Sequence, residues 1–369
     1  MAATTTLLAW GAIEYTSVYE KSGEMENVKK AVKWATDYFI KAHIAPNVLY
    51  GQVGDSDLDH SYWGRPEDMT LPRPAFKITT EMPGSDLAGE TAAALAAASI
   101  LFAESDAKYS DTCLEHAKQL YSFADKYRGN YSDSIPDAAK HYKSWSGYLD
   151  ELAWASAWLY RATNNTFYLN ASKTHFDSLN AHPNDFSWDD KTAGVQVLLS
   201  KLTKNETYLN MAKSFCENMI HNRPRTPKGL LFISKSGALR YAANSAYICL
   251  QIGNIRNTKP VYYEFSRKQI DYMLGDTGRS YVIGFGKNPP KRPNHRSSSC
   301  ANAPVPCNWD TFNTHEPNAN VLYGALVGGP DINDSYEDKR SNYISNRVSL
   351  DYNAAFQGTL AALMQYENC

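Results

Sequence analysis

Aromatic side chains are the most abundant residues here that could recognise a ligand. The chain of 369 residues contains 25 Tyr and 8 Trp, and aromatic residues make up 12% of it. Flat rings with a polar tip suit sugar binding, but they also fill large protein cores, and core packing explains most of them. The composition is therefore compatible with sugar binding without indicating it by itself.

The six cysteines could bind a metal, form disulfides or remain free thiols. They include no Cys-x-x-Cys pair and no Cys/His spacing typical of zinc, which argues against a structural zinc site. Cys300 and Cys307 flank a proline-containing loop and could close a small disulfide ring. Cys249 lies in an apolar stretch, so we expect a buried thiol there.

Asparagine motifs bear on whether the protein is secreted. The acceptor pattern for N-glycosylation occurs five times, beginning at Asn130, Asn164, Asn170, Asn205 and Asn333. These motifs favour an extracellular, secreted protein, although they also arise by chance. The segment from Met1 to Ile13 lacks the positive start and cleavage site of a signal peptide. We therefore expect that the chain starts at an internal point of a secreted protein.

Charge and hydropathy exclude two classes of partner. The chain balances 37 basic against 39 acidic residues and has no Lys/Arg-rich run, so it offers no footprint for nucleic acid or an anionic membrane. Its longest run of small apolar residues, Ala92 to Phe102, is about half of the roughly twenty residues that a membrane span needs. We expect no transmembrane helix.

Apolar residues recur with a helical period along most of the chain, and strand alternation is nearly absent. The predicted helices are Met1 to Tyr19, Met25 to His43, Asp86 to Glu104, Ser110 to Tyr127, Leu149 to Ala162, Thr166 to Asn180, Thr192 to Leu202, Glu206 to Ile220, Leu239 to Ile252, Val261 to Leu274 and Tyr352 to Tyr366. The sequence therefore predicts an all-α fold.

Three long connections contrast with the short ones between the other helices. They are rich in polar, aromatic and proline residues and run from Asn47 to Pro83, from Gly129 to Tyr148 and from Gly275 to Asn320. Loops of this length in a compact domain are usually functional. Because no low-complexity linker interrupts the chain, residues 1–369 are predicted to form one domain of helical hairpins with these loops on one face.

Several segments resemble one enzyme family. They are SYVIGFGKNPPKRPNHRSSSC (Ser280 to Cys300), NVLYGALVGGPDINDSYEDKRSNYISN (Asn320 to Asn346), DYNAAF (Asp351 to Phe356), VKWATDYFIKAH (Val32 to His43), NVLYGQVGDSDLDHSYWGRPEDM (Asn47 to Met69), PGSDLAGETAAALAAASILF (Pro83 to Phe102), WSGYLDELAWASAWLYRAT (Trp145 to Thr163) and TPKGLLFISKSGALRYAAN (Thr226 to Asn244). Together they resemble glycoside hydrolase family 9, above all its animal members, from Met1 to about Tyr366.

This resemblance implies an (α/α)6 barrel with a substrate cleft across one end. It also implies an endo-β-1,4-glucanase, or cellulase, that hydrolyses cellulose or related β-glucans with inversion. Such an enzyme needs no cofactor, binds a β-1,4-glucan or cello-oligosaccharide, and is expected to be a monomer. Inverting hydrolysis requires one carboxylic acid to protonate the leaving oxygen and a second carboxylate to activate water.

The carboxylates that the resemblance implies are incomplete. The family's base aspartates lie in a DAGD-type motif before the helix that Met1 to Tyr19 resembles, so we expect this chain to lack that motif and about the first helix and loop. In the C-terminal signature Tyr336, Asp338 and Tyr343 match, but Arg347 occupies the position of the general acid Glu. A guanidinium stays protonated near neutral pH and cannot donate that proton. Asp338 could orient neighbours or pair with Arg347.

Two further positions depart from the family pattern. The family's active-site histidine is replaced by Asn294, and the adjacent His295 could partly stand in for it. Ser236, before Gly237, replaces an expected sugar-stacking Trp. The substitutions concentrate where the chemistry is expected, whereas the helices remain well patterned.

Other residues match family positions that bind substrate. By resemblance the cleft would be lined by His60, Trp63, Tyr142, Trp145, His295, Arg296 and Tyr352. Tryptophan and tyrosine rings stack on the faces of glucose, while histidine and arginine bond its hydroxyl groups.

A calcium site is also implied by resemblance. Its oxygen ligands would come from Ser146, Gly147, Asp150, Glu151 and Asp189. Several carboxylates with only oxygen ligands suit Ca²⁺. The competing interpretation is that Asp150 and Glu151 only complement the N-terminus of the helix that begins near Leu152.

The sequence leaves three interpretations open. The first is a family endoglucanase whose hydrolysis is severely impaired, because general acid–base catalysis alone contributes about 10² to 10⁴-fold. The second is a catalytically inactive β-glucan-binding protein or vestigial paralogue. The third is a chain that folds poorly because it exposes the apolar flank of Met25 to His43.

Overall fold

The computed structural model describes residues 1–179, 182–256 and 260–367. Asn180, the predicted end of a helix, and Cys369 lie outside the described residues. In chain order the helices are α1 (Ala2–Glu14), α2 (Thr16–Lys21), α3 (Met25–Ala42), α4 (Ser56–Ser61), α5 (Ser85–Phe102), α6 (Ala107–Lys126), α7 (Tyr131–Ser134), α8 (Pro136–Tyr142), α9 (Leu149–Thr163), α10 (Thr166–Asp177), α11 (Thr192–Thr203), α12 (Glu206–His221), α13 (Ala238–Arg256), α14 (Pro260–Leu274), α15 (Arg296–Ser299), α16 (Trp309–Asn313), α17 (Tyr343–Asn346) and α18 (Leu350–Glu367).

The predicted helices form the two layers of a barrel. Six of them, α1, α5, α9, α11, α13 and α18, contact one another in that order, and α18 returns to α1 to close the ring. Outside the ring α3, α6, α10, α12 and α14 pack against the inner helices. This is the predicted (α/α)6 barrel.

The difference between the layers follows from the sequence. In α5 the run from Ala92 to Ala98 is fully buried, because alanine and glycine allow α1, α6 and α9 to pack closely around it. Helix α3 instead alternates buried and charged residues and exposes one face. By length and composition α5 also passes as a membrane span, but 83% of it is buried inside the barrel.

Large aromatic rings fill the centre of the inner ring. Trp10 lies 5.4 Å from Trp154, 6.1 Å from Trp158 and 5.1 Å from Tyr247, in each case edge to face. All four residues are buried. This cluster serves packing, as does most of the aromatic content that we considered for sugar binding.

One cysteine prediction is wrong and one is confirmed. Cys249 is not a thiol: it forms a disulfide with Cys216, because α12 and α13 are neighbours and bring the two Cα atoms to 5.6 Å. Cys300 and Cys307 form the predicted small ring. Cys113 is the free cysteine among the described residues, and it is buried.

The long loops meet on one face, as predicted. The first contains an antiparallel sheet of β1 (His43–Ala45), β2 (Val48–Val53) and β3 (Ala75–Ile78), in which Leu49 pairs with Ile78. Hydrogen bonds join this loop to the other two. The Trp63 indole N–H donates to Ser299 Oγ over 3.0 Å, and the Ser56 hydroxyl donates to Asp137 Oδ1 over 2.8 Å.

Candidate active-site cleft

Backbone contacts hold Arg347 on the loop face. It follows the last residue of α17 and forms a parallel bridge with Asn294. Asn294 N–H donates to Asn346 O over 2.8 Å, and Gly328 N–H donates to Arg347 O over 3.0 Å. These contacts fix where the Arg347 side chain begins.

The charge of Arg347 acts on two predicted cleft residues, Arg296 and Tyr352, and on His141. Burial lowers the pKa of His141 and of Arg296, and the nearby Arg347 cation lowers both further. Burial raises the pKa of Tyr352, and Arg347 is among the cations that oppose this increase. The charge of Arg347 therefore acts on side chains from α8, α15 and α18.

Asp338 positions the backbone beneath the cleft. Its Oδ2 accepts the Lys291 N–H over 2.8 Å, and its Oδ1 accepts the Arg292 N–H and the Asn346 side-chain amide, each over 3.0 Å. These hydrogen bonds agree with the orienting role, one of the two alternatives left open by the sequence, and that role stays a prediction. An ion pair between Asp338 and Arg347 does not occur among the described residues.

Asn294 and His295 are also engaged in holding this loop. The Asn294 side-chain amide donates to Arg340 O over 2.8 Å. His295 caps α15, where its Nδ1 accepts the Ser298 N–H over 3.1 Å. Burial and the neighbouring Arg296 lower the pKa of His295. That His295 partly replaces the family histidine stays a prediction. The contact with Ser298 already uses one of its two ring nitrogens.

His141, which was not among the predicted cleft residues, stacks on His60. Their ring centroids are 4.4 Å apart and their planes differ by 18°. The side chain of His60 is anchored through Nδ1 to Ser56 O, 2.6 Å away. The signal was the position of His141 directly before Tyr142 in the predicted loop.

Trp63 is buried rather than open to the cleft. It is 6% exposed and packs on Phe312, with ring centroids 4.7 Å apart. The Arg296 guanidinium lies 5.9 Å from the centroid of the same ring. Trp63 therefore supports Arg296 in this structure, and little of its own face is available for stacking on a sugar.

Other aromatic side chains are well exposed. Trp145 is 75% exposed and Tyr142 49%, and Tyr142 packs edge to face on Trp188 at 5.4 Å. Tyr352 is buried. Gly237 has φ +72°, and a Cβ on it would meet the Tyr352 ring at 3.1 Å. Ser236 consequently lies beside Tyr352, at the edge of the cleft.

The residues predicted to bind calcium lie together behind the cleft. The Trp145 N–H donates to Asp189 Oδ1 over 2.9 Å, and the Ser146 hydroxyl donates to Asp189 O. Gly147 O accepts the Ser144 hydroxyl over 2.8 Å. Asp150 accepts the Lys191 N–H over 2.7 Å.

The charge balance in this region fits a cation. Asp150 Oδ1 and Glu151 Oε2 are buried and have no hydrogen-bond partner. Burial raises the pKa of Asp150 to about 7, and burial beside Asp150 raises the pKa of Glu151 well above its usual value. Lys191 lies 3.5 Å from Glu90 and 3.4 Å from Glu151, so one ammonium faces several buried carboxylates.

A second acidic group lies on the loop face. Asp55, Asp57 and Asp137 bring carboxylate oxygens within 4.8 Å of one another, a spacing at which they could share a metal ion. The Lys140 ammonium bonds both Asp57 and Asp137, and Ser56 donates to Asp137. This group is therefore already neutralised in part by the chain.

The helical barrel and its aromatic, loop-built cleft define a carbohydrate-active enzyme fold. The model of glycosyl hydrolase family 9 matches residues 1–360, and the chain belongs to that family. It is 43% identical to Endoglucanase A of Bacillus pumilus over 99% of this chain and 57% of that protein. The chain thus spans little more than half of that relative.

Solved structures agree with this assignment. The endoglucanase of the termite Nasutitermes takasagoensis superposes with a TM-score of 0.98 at 55% identity, over all of this chain and 85% of that chain. The endoglucanase CelQ of Clostridium thermocellum, complexed with cellotetraose, superposes with a TM-score of 0.88 at 34% identity, over 99% of this chain and 61% of that chain. The family and the relatives are endoglucanases, and the structures match the predicted barrel.

Proposed function

We propose that this protein binds β-1,4-glucan chains in the cleft and that it is severely impaired in hydrolysing them. The observation that carries the proposal is the guanidinium of Arg347, at the position where the family has its general acid. Its charge reaches side chains from three segments around the cleft.

The impairment follows from the chemistry of the side chain. An arginine cannot supply the proton that the leaving oxygen requires. Its positive charge also opposes the oxocarbenium-like transition state of glycoside hydrolysis. Loss of general acid catalysis reduces the rate by about 10² to 10⁴-fold. Asp338 does not replace the acid, because its carboxylate oxygens accept three hydrogen bonds from neighbouring N–H groups.

The capacity to bind sugar is supported by other residues. Trp145 and Tyr142 are exposed beside the cleft, and His60 stacks on His141 on the loop face. The endoglucanase CelQ has been solved in complex with cellotriose and with cellotetraose, which supports binding of such chains by this related barrel. Binding without turnover needs no proton donor.

A paired assay tests the proposal. Cellotetraose is titrated into the purified protein by calorimetry, and reducing ends are measured in parallel with the termite endoglucanase as the active reference. We expect heat of binding and a hydrolysis rate at least about 100-fold below the reference. Turnover comparable to the reference would establish the alternative, an ordinary endoglucanase. Absence of binding would reject the proposal.

We also propose that the protein is extracellular. Its two disulfides suit an oxidising compartment. Four of the five sequons, at Asn164, Asn170, Asn205 and Asn333, have exposed asparagines. Expression through a secretory pathway should add glycans, which digestion with an N-glycosidase would reveal as a loss of mass.

A structural calcium ion completes the proposal. Asp150, Glu151 and Asp189, with the carbonyls of Ser146 and Gly147, would hold it, and the ion would neutralise buried carboxylates. Calcium should raise the melting temperature, because a ligand that binds the folded state at 100 times its Kd adds about 2.7 kcal/mol of stability. An Asp189→Asn variant that responds to calcium like the native protein would argue against this site.

A further inference from the structure

Arg296 and Arg347 are cations without an anion. Neither guanidinium forms a hydrogen bond or an ion pair with any residue in the described part of the chain. Both side chains are partly buried. Taking a guanidinium from water without pairing it costs free energy, so a ligand that supplies the missing acceptor gains that interaction on binding.

The backbone brings these two residues together. Asn294 bridges to Arg347, and Arg296 begins α15 two residues after Asn294. The two charges also affect each other. Burial lowers the pKa of Arg296, Asp59 opposes this decrease, and the Arg347 cation lowers the pKa further. Trp63 supports Arg296 from behind, at 5.9 Å. The two charges are thus held near one another by packing and not by a shared carboxylate.

The carboxylates around the pair are already bound to other donors. Asp59, the acidic group acting on Arg296, is paired with Arg73. Asp351 pairs with Arg240 over 2.6 Å. Asp57 and Asp137 share Lys140. Asp338 is occupied by the backbone N–H groups described above. None of the described carboxylates forms an ion pair with Arg296 or Arg347.

We propose that the cleft selects β-1,4-linked oligosaccharides that carry a carboxylate, and that Arg347 and Arg296 bind this carboxylate. Guanidinium groups match the two oxygens of a carboxylate, and such charge-assisted hydrogen bonds are stronger than neutral ones. The exposed rings of Trp145 and Tyr142 would take up neighbouring sugars. This assignment rests on the proposed sugar-binding function and names the ligand class of the same cleft.

The test compares two ligands that differ in one group. They are cellotriose and the same trisaccharide with the C6 hydroxymethyl of its central glucose oxidised to a carboxylate. Calorimetric titration gives the ratio of their Kd values. We expect the acidic trisaccharide to bind about tenfold tighter or more, and this ratio to shrink as NaCl is raised to 1 M, because salt screens the charges.

Variants of Arg347 test whether this arginine, and not charge elsewhere on the protein, binds the carboxylate. Arg347→Gln should bring the ratio close to 1, and Arg347→Lys should retain part of it because the charge remains. Arg128→Gln removes an exposed arginine that pairs with Asp125 on α6, outside the cleft, and should leave the ratio at its native value. Thermal unfolding of each variant verifies that the barrel is intact, and the Lys variant keeps the test valid if the Gln variant does not fold.

The outcomes distinguish this assignment from the proposed function. If both trisaccharides bind equally, selection of carboxylates is wrong while β-glucan binding stands. If neither binds to the folded protein, both proposals fail. A native preference that survives Arg347→Gln and Arg347→Lys unchanged would also overturn the assignment, since the carboxylate would then be bound elsewhere.

Discussion

The inner ring of the barrel and its loop face are built under different constraints. In the ring, side chains such as Trp10 and Trp154 are enclosed by other helices, and their size and shape decide whether the barrel closes. On the loop face Arg347 and Asn294 hold positions where the resemblance to the family predicts reactive groups, and the backbone around them is hydrogen-bonded. The frame that positions the loops is therefore separable from the chemistry that the loops present.

The largest difference between the two regions should appear in stability. Trp154→Ala removes a fully enclosed ring and should lower the free energy of unfolding by about 3–5 kcal/mol. The matched control is Trp34→Ala on α3, where the ring is 72% exposed, with an expected change within about 0.5 kcal/mol. Urea unfolding of both variants measures this. Equal losses of unfolding free energy in the two variants would contradict the distinction between the inner ring of helices and the surface.

The two disulfides sharpen the comparison next. Replacing Cys216 and Cys249 by serine opens a loop of 33 residues between two barrel helices and should cost about 3–4 kcal/mol. The Cys300–Cys307 pair closes a separation of only 7 residues, so its removal should cost about 2–3 kcal/mol.

Removal of the Cys300–Cys307 disulfide, although it costs less stability, should affect the cleft. Arg65 donates to Ala301 O inside the short ring, so opening that ring should also weaken sugar binding. Denaturant unfolding and calorimetric titration of both double variants would compare them. The reverse pattern, with sugar binding lost only in the barrel variant, would contradict this division.

Sugar binding should in turn depend on the loop face alone. Trp145→Ala removes a ring that is 75% exposed and should weaken cellotetraose binding about tenfold, or about 1.4 kcal/mol. The unfolding free energy should change by less than about 0.5 kcal/mol. Trp34→Ala serves again as the control and should leave the Kd unchanged. An equal effect of both variants would show that the sugar binds exposed rings without using the cleft.

The smallest expected effect is a pH response at the base of the sheet. His43 Nδ1 and His116 Nδ1 lie 2.8 Å apart, and burial lowers the pKa of both from the usual 6.5, with His116 lowering that of His43 further. The folded state therefore disfavours their protonation. Stability should fall as pH drops below about 6.5, where the unfolded chain takes up protons first.

A substitution isolates this contribution. His116→Asn should reduce the slope of the melting temperature between pH 7 and pH 5, because one of the two titrating groups is gone. His221→Asn is the control, since His221 is exposed near the end of α12. An unchanged slope in the His116 variant would mean that other groups cause the acid response.

The fold followed closely from local patterns. Each of the eleven predicted helices is present, since apolar spacing along a helix depends only on residues three or four positions apart. The predicted segment Met1 to Tyr19 divides at Tyr15 into α1 and α2, a break that its apolar spacing did not reveal. The gathering of the long loops was also predicted, because hairpins of similar length place their connections at the same end.

The site was less predictable, since side-chain partners come from distant segments. Nothing near Cys249 indicates Cys216, which α12 brings within reach. Trp63 matches a substrate-binding position by resemblance, yet Phe312 and Trp309 bury it. The stack of His141 on His60 joins two loops that lie 81 positions apart in the chain.

The sequence by itself determined the family and the helical frame, because both depend on residue identity and local spacing, and it predicts an arginine at the position of the proton donor. The tertiary structure decided which charges are paired. Asp338 is held by backbone N–H groups, Asp351 by Arg240, and Arg347 and Arg296 are left without a described carboxylate. Such pairing depends on distances of a few ångströms between loops, which only the packing of the barrel beneath them sets.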